Sequence, residues 1–277
     1  IVFVKYLSMG VEGAAIATAV SHAVSAVLSL IKLTHVDDVH RVTLRDIKID
    51  MPMLREVLAT GLPTGVQNSV IALANVLVQS NINVFQDNAM AGCGAYSKLE
   101  GFAFLPVTSF SVALTTFTSQ NLGAREYDRV KKGTVFGVIA GVLLAELIGF
   151  AFVALAPQLV ALFNNDPAVV AYGVQQARIE AWFYCLLSLS HCMAGILRGA
   201  GKTKVPMFIM LICWCAIRIA YITITVHYVP DIRVIFWAYP LTWFLSSVAF
   251  VVYYFKADWM HNFERQDEKR RLAQQAK

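Results

Sequence analysis

The sequence predicts an all-α fold, a polytopic membrane helix bundle of seven transmembrane helices, and three observations carry that prediction. Seven long apolar stretches recur along the 277 residues. Of those residues 57% are hydrophobic and only 15% charged, with a mean hydropathy of +0.59. Lysine and arginine crowd into every second gap between the stretches. These run Val11–Leu33, Leu58–Phe85, Ala89–Thr118, Gly133–Leu155, Ala168–Leu197, Pro206–Val226 and Val234–Phe255. Each reaches the roughly 20 residues that cross a hydrocarbon core of about 30 Å as a helix. None has the continuous charged face of a soluble amphipathic helix.

The gaps set an orientation. Residues 34–57, 119–132, 198–205 and 256–277 hold Arg41, Arg45, Lys48 and Arg55; Arg125, Arg129, Lys131 and Lys132; Arg198, Lys202 and Lys204; and Lys256 with five further basic residues. The alternate gaps hold only Arg233. Cytoplasmic loops carry the Lys/Arg excess, so the chain is expected to start outside and end inside a plasma or inner membrane. The net charge of +5 follows from this arrangement. It implies proximity to anionic headgroups of the lipid bilayer and no nucleic-acid partner.

Taken in order, Ile1–Gly10 reads as the tail of a preceding element, and the first span lacks the basic start and cleavage site of a signal peptide. The chain is therefore expected to be the C-terminal portion, a fragment, of a longer protein. The gap 34–57 holds an amphipathic run, Leu44–Leu58, interrupted by Pro52 and expected to lie along the inner membrane surface as a linker between two bundles. Short gaps beyond it imply one six-helix bundle over 58–255 with antiparallel neighbours. Asp166-Pro167 should open the fifth span, Asp as N-cap and Pro at the first helical position. Gly201 and Pro206 bracket the turn after it, and the charged tail beyond Phe263 should be a frayed helix. Pro63, Pro106 and Pro240 lie within or near the ends of spans, where a lost backbone hydrogen bond can kink a helix. They are either packing irregularities or bending points, with Gly61, Pro63 and Pro106 the hinge candidates.

Polar residues inside the spans carry the chemistry. Asn68, Asn75, Gln79 and Asn83 share one face of the second span at about 100° per residue. Such a stripe either ties helices together or walls a hydrated pathway, and its length favours the pathway. Lys98 and Glu100 lie in the third span, Glu146 in the fourth, Arg178, Glu180 and His191 in the fifth, Arg218 in the sixth and His22 in the first. A charge at the bilayer centre costs at least about 2.5–3.5 kcal/mol, so these are functional candidates by default. The structural alternative is ion pairing, Glu146 with Arg218 or Glu180 with Arg178. Residues i and i+2 diverge on a helix, so Lys98 and Glu100, like Arg178 and Glu180, should answer to different neighbours. Burial favours a carboxyl group's proton and a nearby ammonium favours its charge, which would poise Glu100 to exchange a cation. Glu100, Glu146 and His191 are the cation-coupling candidates. Asn68, Asn75, Gln79, Asn83, Lys98 and Glu180 are the substrate-cavity candidates.

Enzyme chemistry finds no support. The sequence has no GxSxG elbow, no HExxH and no P-loop. Cys93, Cys185, Cys192, Cys213 and Cys215 all fall in spans, are odd in number and lack metal-ligand spacing, so they read as small apolar residues. No cofactor and no metal is implied.

Four motifs in order then carry a resemblance: Gly10-Val11-Glu12-Gly13-Ala14-Ala15-Ile16-Ala17-Thr18; Gly61-Leu62-Pro63; Gln120-Asn121-Leu122-Gly123-Ala124-Arg125 with Tyr127-Asp128-Arg129; and Leu197-Arg198-Gly199-Ala200-Gly201-Lys202-Thr203. Over residues 9–260 the chain resembles the bacterial multidrug and toxic compound extrusion (MATE) transporters. Locally, Gln120-Asn121 can cap helix ends, Gly123 permits a sharp turn, and Arg198 with Lys202 makes a basic turn. Both loops read as serving topology rather than substrate contact.

The resemblance implies twelve helices in two six-helix lobes around a central cavity. Residues 1–33 would then end the N-lobe (last helix 11–33), 34–57 would be the cytoplasmic interlobe linker, 58–255 the six-helix C-lobe and 256–277 a cytoplasmic tail. The rest of the N-lobe would be missing and would be a required partner. It further implies export of small cationic or amphipathic compounds by alternating access, in antiport with Na+ or H+. Some members carry a carboxylate on the helix opened by Gly-Leu-Pro, where this chain has amides. Many carry an aspartate before Leu-Arg-Gly, where this chain reads Leu187-Ser188-Leu189-Ser190-His191. That branch's cation site is not transferred. Phe102, Phe104 and Phe110 either stack on a planar cation or face lipid. The competing functions are a lipid-linked precursor flippase and an inactive truncated half-transporter.

Overall fold

The computed structural model describes Phe3, Tyr6 and residues 9–35 and 48–261. It divides into two units, Ile1–Arg55 and Glu56–Lys277. Helix α1 (Gly10–His35) belongs to the first and exposes Val20, Val24, Leu28 and Ile31 along its length. Helix α2 (Met51–Asn83) starts before the division and continues into the second unit. There follow α3 (Gln86–Gly123), α4 (Tyr127–Ala161), α5 (Pro167–Glu180), a 3-10 turn at Ala181–Phe183, α6 (Tyr184–Gly199), α7 (Lys204–Met210), a π-helical segment Leu211–Ile217, α8 (Arg218–Tyr228) and α9 (Ile232–Lys256). The described residues are helical with no strand. Seven spans are long and apolar enough to cross a membrane: α1, α2, α3, α4, α5 with α6, α7 with α8, and α9.

The boundaries depart from expectation at polar ends. α2 begins at Met51 rather than Leu58, because Asp50 accepts a hydrogen bond from the Met53 N–H at 2.9 Å and Pro52 sits in the first turn, where no N–H is needed. The last residues assigned to the linker are thus the first turns of a span; the rest of it, 36–47, and the tail from 262 onward lie outside the described residues. α4 begins at Tyr127, so Arg129, Lys131 and Lys132 ride on its opening turns rather than in a loop. Asp166-Pro167 opens α5 as expected, the Asp side chain accepting from Ala168 N–H at 2.9 Å.

Two turns close by the same device. After α6, Gly201 takes φ +75° while Lys202 N–H donates to Leu197 C=O at 2.8 Å and Gly201 N–H to Arg198 C=O at 3.0 Å, the paired bonds of a Schellman cap. After α3 the pattern repeats, with Glu126 N–H to Asn121 C=O at 2.9 Å and Arg125 N–H to Leu122 C=O at 3.0 Å. There the left-handed residue is Arg125 at φ +60°; Gly123, expected to make the turn, is the last residue of α3.

α6 is the centre of the second unit, packed against α3, α4 and α9. Eleven of its sixteen residues are buried, serines included. Gly195 and Gly199 let α3 approach: a Cβ on Gly195 would meet the Ser111 carbonyl, and one on Gly199 the Thr115 carbonyl. In that space Ser111 Oγ donates to His191 C=O at 2.7 Å and Thr115 Oγ1 to Gly195 C=O at 3.0 Å. This is the small-residue packing that membrane helices use in place of a hydrophobic drive. On the far side Ser190 bonds Ser246 and Ser247 of α9 at 2.8 and 2.9 Å, and Trp214 Nε1 donates to Ser246 Oγ at 3.0 Å.

Two of the expected continuous spans are broken. The fifth passes through the 3-10 turn Ala181–Phe183, and Glu146 of α4 accepts the Cys185 N–H at 3.0 Å in the opening turn of α6. The sixth carries the π segment Leu211–Ile217. Prolines lie inside α2 (Pro63), α3 (Pro106), α4 (Pro157) and α9 (Pro240), Pro157 being additional to the expected set.

Candidate functional site

A cavity of about 480 Å³ lies within the second unit, between α2 and the helices behind it. Its α2 wall is amide: Gln67, Asn68, Asn75 and Gln79, interleaved with Ile71 and Ile82. α2 can leave this space open because only Gln67, Ala74, Val78 and Ile82 of its residues are buried. Gln67 is 3% exposed; its Nε2 meets Met210 Sδ at 2.7 Å and its Oε1 has no partner. Asn83 departs from expectation: it is absent from the lining and instead accepts from Gln79 Nε2 at 3.1 Å on the same helix. It is the last residue of α2, beyond the reach of the cavity.

The opposite wall draws on every other span of the unit except α4. α3 supplies Glu100, Phe104, Thr108 and Ser111; α5 supplies Gln176; α6 supplies His191 and Arg198. Trp214 of the π segment, Arg218 of α8, and Tyr239 and Trp243 of α9 complete it. The His191 ring stands edge-on to Phe104 and Trp214 at centroid distances of 5.7 and 5.5 Å, with Nε2 buried and without a hydrogen-bond partner.

Arg218 is 2% exposed. Its Nε and Nη2 donate to Thr242 Oγ1 at 3.2 and 2.7 Å, and its guanidinium lies 4.3 Å from the Tyr239 ring and 5.3 Å from that of Trp214. Aromatic faces and a hydroxyl hold this cation, with no carboxylate within ion-pair distance among the described residues. Glu100, Glu180 and Arg218 nevertheless lie within electrostatic reach of one another.

Expected site residues separate accordingly. Glu100, His191, Asn68, Asn75 and Gln79 meet at the cavity. Glu180 is fully buried one step behind the wall, accepting from Gln176 Nε2 at 2.9 Å. Lys98 is not in the cavity: two residues from Glu100 it points to the other side of α3, exposed, with its ammonium 5.7 Å from the Phe163 ring. Glu146 is neither at the cavity nor paired with Arg218; its carboxylate accepts from the α6 backbone at Cys185. Arg178 is exposed and does not pair with Glu180. Of the three phenylalanines only Phe104 lines the cavity, while Phe102 is 64% exposed. Gly61, Pro63 and Pro106 lie outside it.

Gln67, Gln176, Trp214 and Tyr239 escaped the sequence reading. Gln67 could have been found as the neighbour of Asn68, and Gln176 as the residue one turn before Glu180. Arg198, expected in a basic turn, is the penultimate residue of α6 and lines the cavity.

Similarity to known proteins agrees with this architecture. The chain is 22% identical over 250 residues to "Probable multidrug resistance protein YoeA" of Bacillus subtilis (strain 168), covering 89% of this chain and 54% of that protein. It is 27% identical over 221 residues to "Probable multidrug resistance protein NorM" of Thermotoga maritima, covering 79% and 47%. It thus spans about half the length of the curated relatives it matches. A solved structure described as the outward-facing conformation of a multidrug resistance MATE family transporter of the MOP superfamily superposes with a TM-score of 0.81 over 98% of this chain and 59% of that one, at 18% identity. The MatE family model matches residues 63–224, more than half of the chain, and with the seven spans and their shared fold this establishes that the chain belongs to the MatE family.

Proposed function

We propose that the protein containing this chain is a secondary active multidrug efflux transporter. It exports cationic or amphipathic compounds by antiport with Na+ or H+ through alternating access. In this reading the spans from α2 to α9, residues 51–256, are its six-helix C-lobe, residues 36–50 belong to the interlobe linker, and α1 is the end of an N-lobe. The observation that carries it is the cavity of about 480 Å³, in which an amide wall faces Glu100 and an aromatic-lined back wall. Amides and ring faces bind varied polar and planar ligands without demanding one shape. A carboxylate there takes either a cation from solution or one from a substrate, and competition of that kind couples two fluxes. The sequence similarity to proteins named for multidrug resistance supports the same reading. The basic gaps support an orientation with the C-terminus cytoplasmic.

Drug-cation efflux in everted vesicles holding the full-length protein, driven separately by sodium and proton gradients, tests it. Transport under one gradient supports the antiporter and names its ion. An inserted, folded protein inert under both would overturn it in favour of a lipid-linked precursor flippase.

A further inference from the structure

We propose that the cavity takes an aromatic anion, a planar ring system bearing a carboxylate or phosphate group, whose charge is received by Arg218. This narrows the amphipathic class named above and, as transport, rests on that reading. Arg218 opens α8, is 2% exposed and lines the cavity. Its Nε and Nη2 both donate to one oxygen, Thr242 Oγ1, at 3.2 and 2.7 Å. That hydroxyl donates in turn to the Ala238 C=O at 2.9 Å and the Tyr239 C=O at 3.0 Å, so it meets the guanidinium as a neutral acceptor. A guanidinium carries more donors than one oxygen can take. Nη1 has no hydrogen-bond partner among the described residues.

The charge of Arg218 is held in place without being matched. The Tyr239 ring lies 4.3 Å from it and the Trp214 ring 5.3 Å, and the Trp214 indole is itself pinned to Ser246 Oγ at 3.0 Å. A guanidinium fixed in this way is ordered before a ligand arrives, which lowers the cost of binding one. Ring faces and a hydroxyl stabilise a cation less than a carboxylate in bidentate contact does. Glu100 is the one carboxylate of the lining, and Glu180 lies behind it with Oε1 on Gln176 Nε2. Arg198 gives the same lining a second guanidinium. It follows His191 by seven residues, on the same face of α6, and its Nε turns back to the Ala194 C=O at 3.2 Å. It too has no carboxylate at ion-pair distance among the described residues. Two guanidiniums to one carboxylate make this lining favour negative charge.

The rest of the lining decides what carries that charge. Phe104, His191, Trp214, Tyr239 and Trp243 make the wall around Arg218 aromatic. A planar ring packs on such faces in offset or edge-to-face contact, and a volume of about 480 Å³ lies within the range of small-molecule sites. An ammonium compound of the same shape would bring a second positive charge to the guanidinium among these rings. With the anion on Arg218, Glu100 stays available to a coupling cation. The other role open to Arg218, tying α8 to α9 through Thr242, calls for a hydrogen bond but for no charge at a cavity wall.

Probes of one shape and different charge test this: naphthoate, naphthamide and naphthylmethylammonium. Each is titrated calorimetrically into the purified full-length protein in lipid nanodiscs, with protein-free nanodiscs subtracted. Wild type should bind the acid about tenfold or more tightly than the amide, the size expected of a charge-assisted hydrogen bond, and the amine most weakly. Arg218→Gln should erase the acid's advantage while the amide's own affinity stays near wild type. Arg218→Lys, which keeps the charge, should keep the order. A purely structural Arg218 would lower the melting temperature in Arg218→Gln and leave the acid-to-amide ratio alone. An unchanged ratio in a folded Arg218→Gln therefore overturns the proposal. Tighter binding of the amine than of the acid by wild type also overturns it, whether or not Arg218→Gln folds. The readout needs no transport: acid preference with no flux of any probe under either gradient sinks the transporter reading alone. Gradient-driven flux of the amine with no binding of the acid sinks this inference alone.

Discussion

Removing the Glu146 carboxylate should weaken the fold and spare the coupling. The carboxylate accepts the Cys185 N–H at 3.0 Å, in the opening turn of α6 just past the 3-10 turn at Ala181–Phe183. In Glu146→Leu that N–H is left without its acceptor in a part-buried place, a loss of about 1–3 kcal/mol. For a chain of this size that is about 2–4 °C of melting temperature per kcal/mol. Glu146→Gln keeps a carbonyl oxygen at the same reach and exchanges a charge-assisted bond for a neutral one, costing about 1 kcal/mol. The assay is thermal unfolding in detergent for both variants, beside gradient-driven efflux in vesicles. The ordering wild type, Gln, Leu in stability, with efflux kept in Gln, is the expected result. If Glu146→Gln abolished efflux at an unchanged melting temperature, the carboxylate would be serving charge rather than backbone, and the capping argument would fail.

Three further outcomes follow from the same geometry. Glu100→Gln should eliminate gradient-driven efflux while membrane insertion and melting temperature stay near wild type; efflux at the wild-type rate would remove Glu100 from the coupling path. Lys98→Met should transport normally, since the ammonium sits on the outer side of α3 over Phe163 rather than in the cavity; a strong transport defect in a folded variant would contradict that placement. Gly195→Ala should destabilise by about 2–4 kcal/mol, combining overpacking with weakened α3–α6 hydrogen bonds. Its Cβ would lie 2.9 Å from Ser111 Oγ, the group now bonded to the His191 carbonyl. An unchanged melting temperature would show that the two helices separate freely.

Properties that depend on one element at a time were legible in the sequence. Hydropathy alone marks the seven spans, because the bilayer demands length and apolarity from each helix independently of its neighbours. The start of α5 at Asp166-Pro167 is equally local, since a cap acts within one turn. The stripe Asn68, Asn75 and Gln79 reached the cavity because 3.6-residue periodicity decides which side chains share a face, although periodicity could not tell that Asn83 lies beyond the cavity's end.

Roles that depend on what another helix presents were decided by the tertiary structure. Glu100, Glu146 and Glu180 look alike in sequence, each a carboxylate within an apolar span. Packing alone sends the first to the cavity, the second to the backbone of a neighbouring helix, and the third behind Gln176. The 3-10 turn at Ala181–Phe183 and the π segment at Leu211–Ile217, which carries Trp214 and leads into Arg218 at the cavity, have no proline to announce them. Composition determines that a segment enters the membrane because solvent preference is a sum over its own residues. The fate of a charge inside the membrane depends on partners brought together from distant parts of the chain, and no local pattern encodes them.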